Sequence, residues 1–377
     1  MKTLLVGFFG EGNLGDEAML SGICRVASEN CRNSAWAKRP LGLLSADASG
    51  LGKSLHPFVV TAGEKPTIPG VSTIRRRGWA GWIDYLCCLR LVRRVIFLGG
   101  LLQDWSVEGV TFYALRLMAA RCLKKEVALW GAGLGPLRRR SARAIACRAL
   151  LNVETAWLRD PDSLALFREL AHRPGNLGTD WSWAIPTPKK ITSTADSSSY
   201  HFNDYINKKT ATSSGFSSPF ILGRPSGDGG PCIGINLRPW VNGDLKAAAQ
   251  KRFKGLSPGE RTVGIAAREE DARLLRQLFP GIPVHVPEDF SALLTACMAF
   301  DQGWAMRYHV VLAMLRTGVA IVPLPYDEKV RSLCREAGIE TQGMNHASVS
   351  PQIAAPDFMD TLQKRFVKMK TAFLEWQ

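Results

Sequence analysis

The chain has 377 residues, 46% of them apolar, enough for two globular domains of ordinary size, each with its own core. Lys and Arg number 48 against 33 Asp and Glu, and the resulting +15 favours anionic partners such as phosphorylated metabolites, acidic glycans, lipid headgroups or nucleic acid. No apolar run is as long as the roughly 18 residues of a membrane span, and nine cysteines without a C-x-x-C pair argue against a disulfide framework and for reduced thiols in a cytoplasmic protein.

Taken in chain order, apolar strand-like runs alternate with helical ones: "TLLVGFF" then "GDEAMLSGICRVAS", "LGLLSA", "RVIFLGG" then "VTFYALRLMAARCLKK", "EVALWGAG" then "RRSARAIACRALLN", "ETAWLRD" then "PDSLALFREL", and a short "GNLGTD". Near-continuous apolar strands between helices predict a parallel sheet covered on both faces, a doubly wound α/β domain over residues 1–185. Residues 186–230, rich in Ser, Thr, Gly, Pro and Lys, read as a flexible polar linker or insertion. The alternation resumes over 231–345 with "CIGINLRPW", a helical run near "DLKAAAQKRF", "RTVGIAA", "EEDARLLRQLFP", "IPVHV", "DFSALLTACMAF", "QGWAM", "RYHVVLAMLRTG", "VAIVPLPY" and "DEKVRSLCREAG". Residues 346–377 close the chain with a helical segment able to return to the first domain. The expected architecture is α/β, with two Rossmann-like domains facing a cleft and ligands outside the carboxyl ends of the strands.

Three glycine loops fall at such strand ends. Gly10, Gly12 and Gly15 of "FFGEGNLGDEAML" scan as G-x-G-x-x-G, but Asp16 and Glu17 follow at the helix start, where they cap the helix and repel a diphosphate. No acidic residue stands at the distance a ribose requires, since Glu29 falls within the expected helix and Asp47 lies too far on. The loop reads as a structural turn or, preferably, as a wall offering Asn13, backbone amides and a carboxylate to a substrate. The second loop carries Gly99, Gly100, Gln103 and Asp104, and the third Gly131, Gly133 and Gly135.

In the second domain Arg238, Arg307, His309 and Lys329 also sit beside strand ends. Guanidinium forks bind carboxylate or phosphate bidentately, and a histidine near neutral pKa transfers a proton, so the set suits a small polyanion. The alternative is that Arg307 pairs structurally and His309 is a core histidine. The arginines at 75–77, 90, 93, 94, 138–140, 143 and 148 read either as solvated helix faces or as a surface for anionic lipid or glycan. Nothing beyond charge supports nucleic acid, and no zinc-protease, Walker A, G-x-S-x-G or EF-hand pattern occurs.

The ordered set "GEGNLGDEAML", "FLGGLLQD", "WGAGLGPL", "LRDPDSLALFREL", "TDWSWAIP", "IGINLRPW", "MRYHVVLAMLRTGVAIV" and "YDEKV" resembles the polysaccharide pyruvyl transferase family, which makes pyruvate ketals on bacterial cell-wall and exopolysaccharide sugars. The chain departs from the family pattern in having two adjacent glycines in the second loop instead of three, Tyr308 in place of leucine, and a longer Ser-rich connection. The resemblance implies a glycosyltransferase-B-like fold, phosphoenolpyruvate as donor, no cofactor or metal, and a sugar diol on a lipid-linked or polymeric glycan as acceptor. It places Arg238, Arg307 and Lys329 on the donor's negative groups, His309 as proton carrier, and Asp104 or Asp16 on the acceptor hydroxyl. Gly12, Asn13, Gly15, Gly99, Gly100, Gln103 and Gly133 complete the expected binding wall. The expected location is cytoplasmic, peripheral to the inner face of the membrane. A glycosyltransferase using a nucleotide-sugar donor and a non-catalytic anion-binding protein remain the alternatives.

Overall fold

A computed structural model describes residues 2–33, 58–63, 71–105, 107–151, 153–188, 231–239, 262–341 and 350–377. The expected strand "LGLLSA", the helical run near "DLKAAAQKRF" and the polar connection from residue 189 lie outside these residues.

The first sheet is formed by β1 (Lys2–Phe9), β2 (Phe58–Ala62), β3 (Ser72–Arg75), β4 (Val92–Leu101), β5 (Glu126–Leu134), β6 (Thr155–Leu158) and β7 (Asn176–Leu177), in the order β3-β2-β1-β4-β5-β6-β7. All its pairings are parallel. Its helices are α1 (Leu14–Asn33), α2 (Gly78–Leu91), α3 (Val107–Cys122), α4 (Arg140–Leu150) and α5 (Pro161–Ala171). The second sheet has β8 (Ile233–Asn236), β9 (Thr262–Ile265), β10 (Val284–His285), β11 (Gln302–Ala305) and β12 (Ala320–Pro323), all parallel, in the order β10-β9-β8-β11-β12. It carries α6 (Glu269–Leu278), α7 (Phe290–Cys297), α8 (Tyr308–Arg316) and α9 (Glu328–Glu336), and α10 (Phe358–Trp376) follows. Two parallel sheets with alternating helices bear out the expected fold class.

In each sheet the strand order reverses once, between β1 and β4 and between β8 and β11. Loops leaving neighbouring strands on opposite sides of such a point diverge and leave a crevice at the carboxyl edge. The glycine loops after β1 and β4 flank the first crevice; Arg238 and the segment Arg307–His309 flank the second.

Strands β2 and β3 and helix α2 have no counterpart among the elements expected from the sequence. Helix α2 runs into β4 without a turn: Val92, its C-cap, is already extended (φ −111°, ψ 152°), so "LRLVRRVIF" carries no breaker to divide. The arginine clusters are also divided among separate tasks. Arg75 pairs with Asp84 at 2.7 Å, Arg94 with Glu126 at 2.8 Å, and Arg76 is buried.

An aromatic junction holds the two sheets together. Trp181 donates from Nε1 to the Trp130 carbonyl at 3.0 Å, which brings the chain after β7 back against β5 at Gly131, whose φ is +64°. A Cβ there would lie 2.8 Å from the Thr179 carbonyl oxygen, so this close approach requires glycine. Helix α10 returns to the first sheet, where Phe373 meets Trp130 and Trp181 edge-on, with ring centroids 5.3 and 4.9 Å away. The apolar cluster built here continues through Leu20 and Ile23 of α1 into Val310 and Met314 of α8 and Phe290 of α7. Arg316 of α8 reinforces the contact by donating to the carbonyls of Ser182 (3.0 Å) and Ile185 (2.6 Å). Among the described residues no helix is long and apolar enough to cross a membrane.

Phe373→Ala should cost about 3–5 kcal/mol of stability, as expected for a fully buried aromatic whose cavity cannot collapse. Chemical denaturation measures this; a loss below about 1 kcal/mol would mean that α10 is dispensable to the junction.

Candidate functional site

The loop after β1 uses its polar groups on itself. Glu17 Oε1 accepts the Gly10 amide at 2.7 Å, the Asn13 carbonyl accepts the Glu17 amide at 3.1 Å, and Asn13 Nδ2 donates to Asp16 Oδ2. A diphosphate here would meet the Asp16 carboxylate and find the Gly10 amide taken, so the geometry removes the dinucleotide reading. Gly12, with φ +67°, faces open space. Gly15 serves another purpose: a Cβ on it would lie 1.9 Å from Nδ1 of His309, a residue of the second sheet's α8. Asp16 is buried (7% exposed), and burial raises its pKa against the opposing pull of His309, Asn13, Lys329 and Arg268. Gly99, with φ +89°, leaves room for it, since a Cβ there would stand 3.2 Å from Asp16 Oδ1.

His309 lies in the first turn of α8, where Arg307 is the N-cap. Its Nε2 is 3.2 Å from Oδ2 of Asp180, which caps the turn 181–184 and accepts the Ser182 amide at 2.9 Å. Asp180 is fully buried. Burial alone would raise its pKa, but His309, Arg159 and Ser182 together hold it well below the usual carboxylate range. Arg159 supplies the compensating charge at 3.5 Å from Asp180 and lies 4.3 Å over the Tyr308 ring. It occupies the space that Gly133 leaves, since a Cβ there would fall 2.3 Å from its Nη2.

Neither Arg159 nor Asp180 is among the site residues expected from the sequence. Each stands in one of the ordered motifs, "LRD" and "TDW", but their pairing across the fold has no local signal. Lys329 sits 3.1 Å from Asp327 Oδ2 and 5.4 Å from the Tyr326 ring centre, while the Arg238 guanidinium lies 4.5 Å over that same ring. Gly100 and Gln103 line the same cleft, with Gln103 Nε2 where a Gly100 Cβ would project.

Two expected roles are corrected. The Arg307 guanidinium lines the cleft but spends Nε and Nη2 on Asp271, with both bonds at 2.5 Å, and on Glu270 at 3.1 Å, so it stands there as one half of a largely buried ion pair and not as a free clamp. Asp104 spends its carboxylate on the backbone amides of Arg138 (2.5 Å) and Arg139 (2.8 Å), pinning the loop after β5, and it does not line the cleft.

The resulting cleft has a volume of about 740 Å³, within the range of small-ligand sites. Asn13, Asp16 and Arg159 face it from the first sheet; Arg238, His309 and Lys329 face it from the second. A raised carboxyl, a histidine positioned by a buried carboxylate and several cations thus share one space, suited to holding an anion and moving protons beside it.

Because its folded pKa is raised, Asp16 disfavours folding once the pH climbs above the unfolded carboxyl's value of about 4, and the penalty is absent below that value. Asp16→Asn should therefore unfold at higher denaturant than the parent at pH 7, and the advantage should shrink towards zero as the pH is lowered through 4. An advantage that persists undiminished at low pH would remove charge burial as its cause.

Among solved structures, the chain is similar to UDP-GlcNAc 2-epimerase from Neisseria meningitidis bound to UDP-GlcNAc, with 12% identity, a TM-score of 0.55 and coverage of 98% of this chain and 93% of that one. It is also similar to S. aureus MnaA with UDP, with 8% identity, a TM-score of 0.53 and coverage of 98% and 91%. At these identities the likeness shows the fold, which is GT-B. No curated protein matches the chain in sequence. The resemblance carried by the ordered motifs is nevertheless borne out over part of the chain, where residues 70–225 match the model of the polysaccharide pyruvyl transferase family.

Proposed function

We propose that the protein transfers the pyruvyl group of phosphoenolpyruvate to two hydroxyls of one sugar in a polysaccharide or its lipid-linked precursor, forming a ketal and releasing phosphate. The observation that carries this reading is the His309–Asp180 pair, set among Arg159, Lys329 and Arg238 and facing Asp16 across the cleft. The family match supports a transferase acting on polysaccharides.

The chemistry needs one proton added at carbon and two removed from oxygen. Arg159, Lys329 and Arg238 hold the donor's carboxylate and phosphate. His309 delivers a proton to the donor's methylene carbon, and the neighbouring carbon becomes cationic as the double bond is consumed. Buried and ionised, Asp180 orients the imidazole and stabilises its charged form before transfer. A first sugar hydroxyl then bonds to the cationic carbon as Asp16 takes its proton. The raised pKa of Asp16 makes it a stronger base than an exposed carboxylate. Phosphate departs with its bonding electrons, and the second hydroxyl attacks the same carbon, losing its proton to close the ring. One proton ends on carbon and the other leaves with phosphate.

Phosphate release from phosphoenolpyruvate in the presence of acceptor glycans tests the proposal. His309→Ala should reduce turnover by about 10²- to 10⁴-fold while the protein stays folded, and a UDP-sugar in place of phosphoenolpyruvate should give no transfer. Turnover within a factor of about three of the parent in His309→Ala, or transfer from the UDP-sugar, would overturn it.

A further inference from the structure

Beside the donor site, the cleft wall formed by α2, α3 and the loop after β3 gathers three guanidinium groups, two of which share one carboxylate. Arg76 and Arg77 both pair with Glu11, each at 3.2 Å. Arg116 pairs with no carboxylate among the described residues. It is buried (5% exposed), lies flat over Phe112 at 3.6 Å with Trp82 and Tyr85 beyond, and donates to the carbonyls of Phe112 (3.2 Å) and Arg76 (2.9 Å). Its Nε is buried without a partner. Arg76, also buried, stacks 4.6 Å over the same Phe112 ring and 4.5 Å over Phe8.

Three cations less one carboxylate leave two positive charges, and all three arginines line the cleft. Burial pushes the Arg116 pKa down to about 10, with the Arg76 charge adding to the effect, as expected where no anion compensates. Two guanidinium charges left without a carboxylate on one wall of the cleft suit an anion that arrives from outside.

We infer that Arg76, Arg77 and Arg116 form a second anion subsite, separate from the His309–Lys329 group, which takes the phosphate or pyrophosphate ester carried by the acceptor. Two carriers present this chemistry, a lipid pyrophosphate and a nucleoside diphosphate. The surroundings favour the lipid. Leu115, on the cleft wall, is 55% exposed, and Trp79 (84%) and Ile83 (57%) stand one turn apart on α2, offering apolar surface beside the arginines. That the ester belongs to the acceptor rests on the pyruvyl-transfer reading; that an anion binds here does not.

Calorimetric titration of the full chain with inorganic pyrophosphate tests the subsite. Binding should survive saturating phosphoenolpyruvate and weaken about tenfold or more in Arg116→Met, the loss of a charge-assisted bond. Arg77→Gln alters an exposed side chain and keeps the test valid if the Arg116 variant does not fold; it should weaken binding several-fold. Pyrophosphate binding that is absent in the parent, vanishes at saturating phosphoenolpyruvate, or is unchanged in the folded variants would overturn the proposal. Farnesyl diphosphate and UDP distinguish the carriers: tighter Arg77-dependent binding of either supports the subsite and names its source, and binding of neither overturns it. If phosphoenolpyruvate itself fails to bind, the pyruvyl reading falls and the Arg77 and Arg116 variants still decide the subsite.

Discussion

The molecule is organised around keeping one carboxylate charged where water cannot reach it. Asp180 has no exposed surface, and ionisation there is tolerable only because His309, Arg159 and the Ser182 amide converge on it. These partners come from different parts of the chain. Arg159 follows β6 of the first sheet, His309 opens α8 of the second, and Ser182 belongs to the short turn that Asp180 itself caps. Solvating this charge therefore brings the two sheets into a fixed relation. Trp181, the first residue of that turn, anchors it in the aromatic junction with Trp130 and Phe373.

The same constraint gives the glycines their meaning. Gly15, Gly99 and Gly133 read in isolation as turn formers with amides turned toward a ligand. In the fold each marks a place where a polar side chain of the site lies against the backbone: His309 at Gly15, Asp16 at Gly99, Arg159 at Gly133. The loops are cut away so that acid, base and cation can share one space. The first loop's acidic pair is likewise divided, with Glu17 closing the loop on itself and Asp16 turned toward the cleft.

The strands that end in glycine were legible because buried parallel strands leave continuous apolar runs, and the motifs at their ends were legible as candidate chemistry. Helix α2 and its flanking strands were not, since no turn residue separates α2 from β4. Within the site, the sequence gives the kind of residue at a strand end but not its partner. Arg307 has the right type and position for a clamp, yet Asp271, remote in sequence, claims it; Asp104 is claimed by amides after β5. Conversely, nothing local marks Asp180 as the partner of His309, because that pairing spans most of the second half of the chain. Type and position are local properties, whereas partnership belongs to the finished fold.

GT-B enzymes are commonly pictured as two interchangeable halves joined by a hinge. The apolar cluster that runs from α1 through the Trp181 turn into α7 and α8 makes that picture a poor guide to this chain. Either sheet taken alone would present the uncovered faces of Leu20, Ile23, Val310 and Met314 to solvent, and the first would also carry Asp180 without its imidazole. The halves are thus tied to each other as a matched pair. Recombining one of them with a foreign partner would require re-creating this seam as well as the binding surface, so changes of substrate in such a protein are most accessible through the cleft-lining side chains and loops.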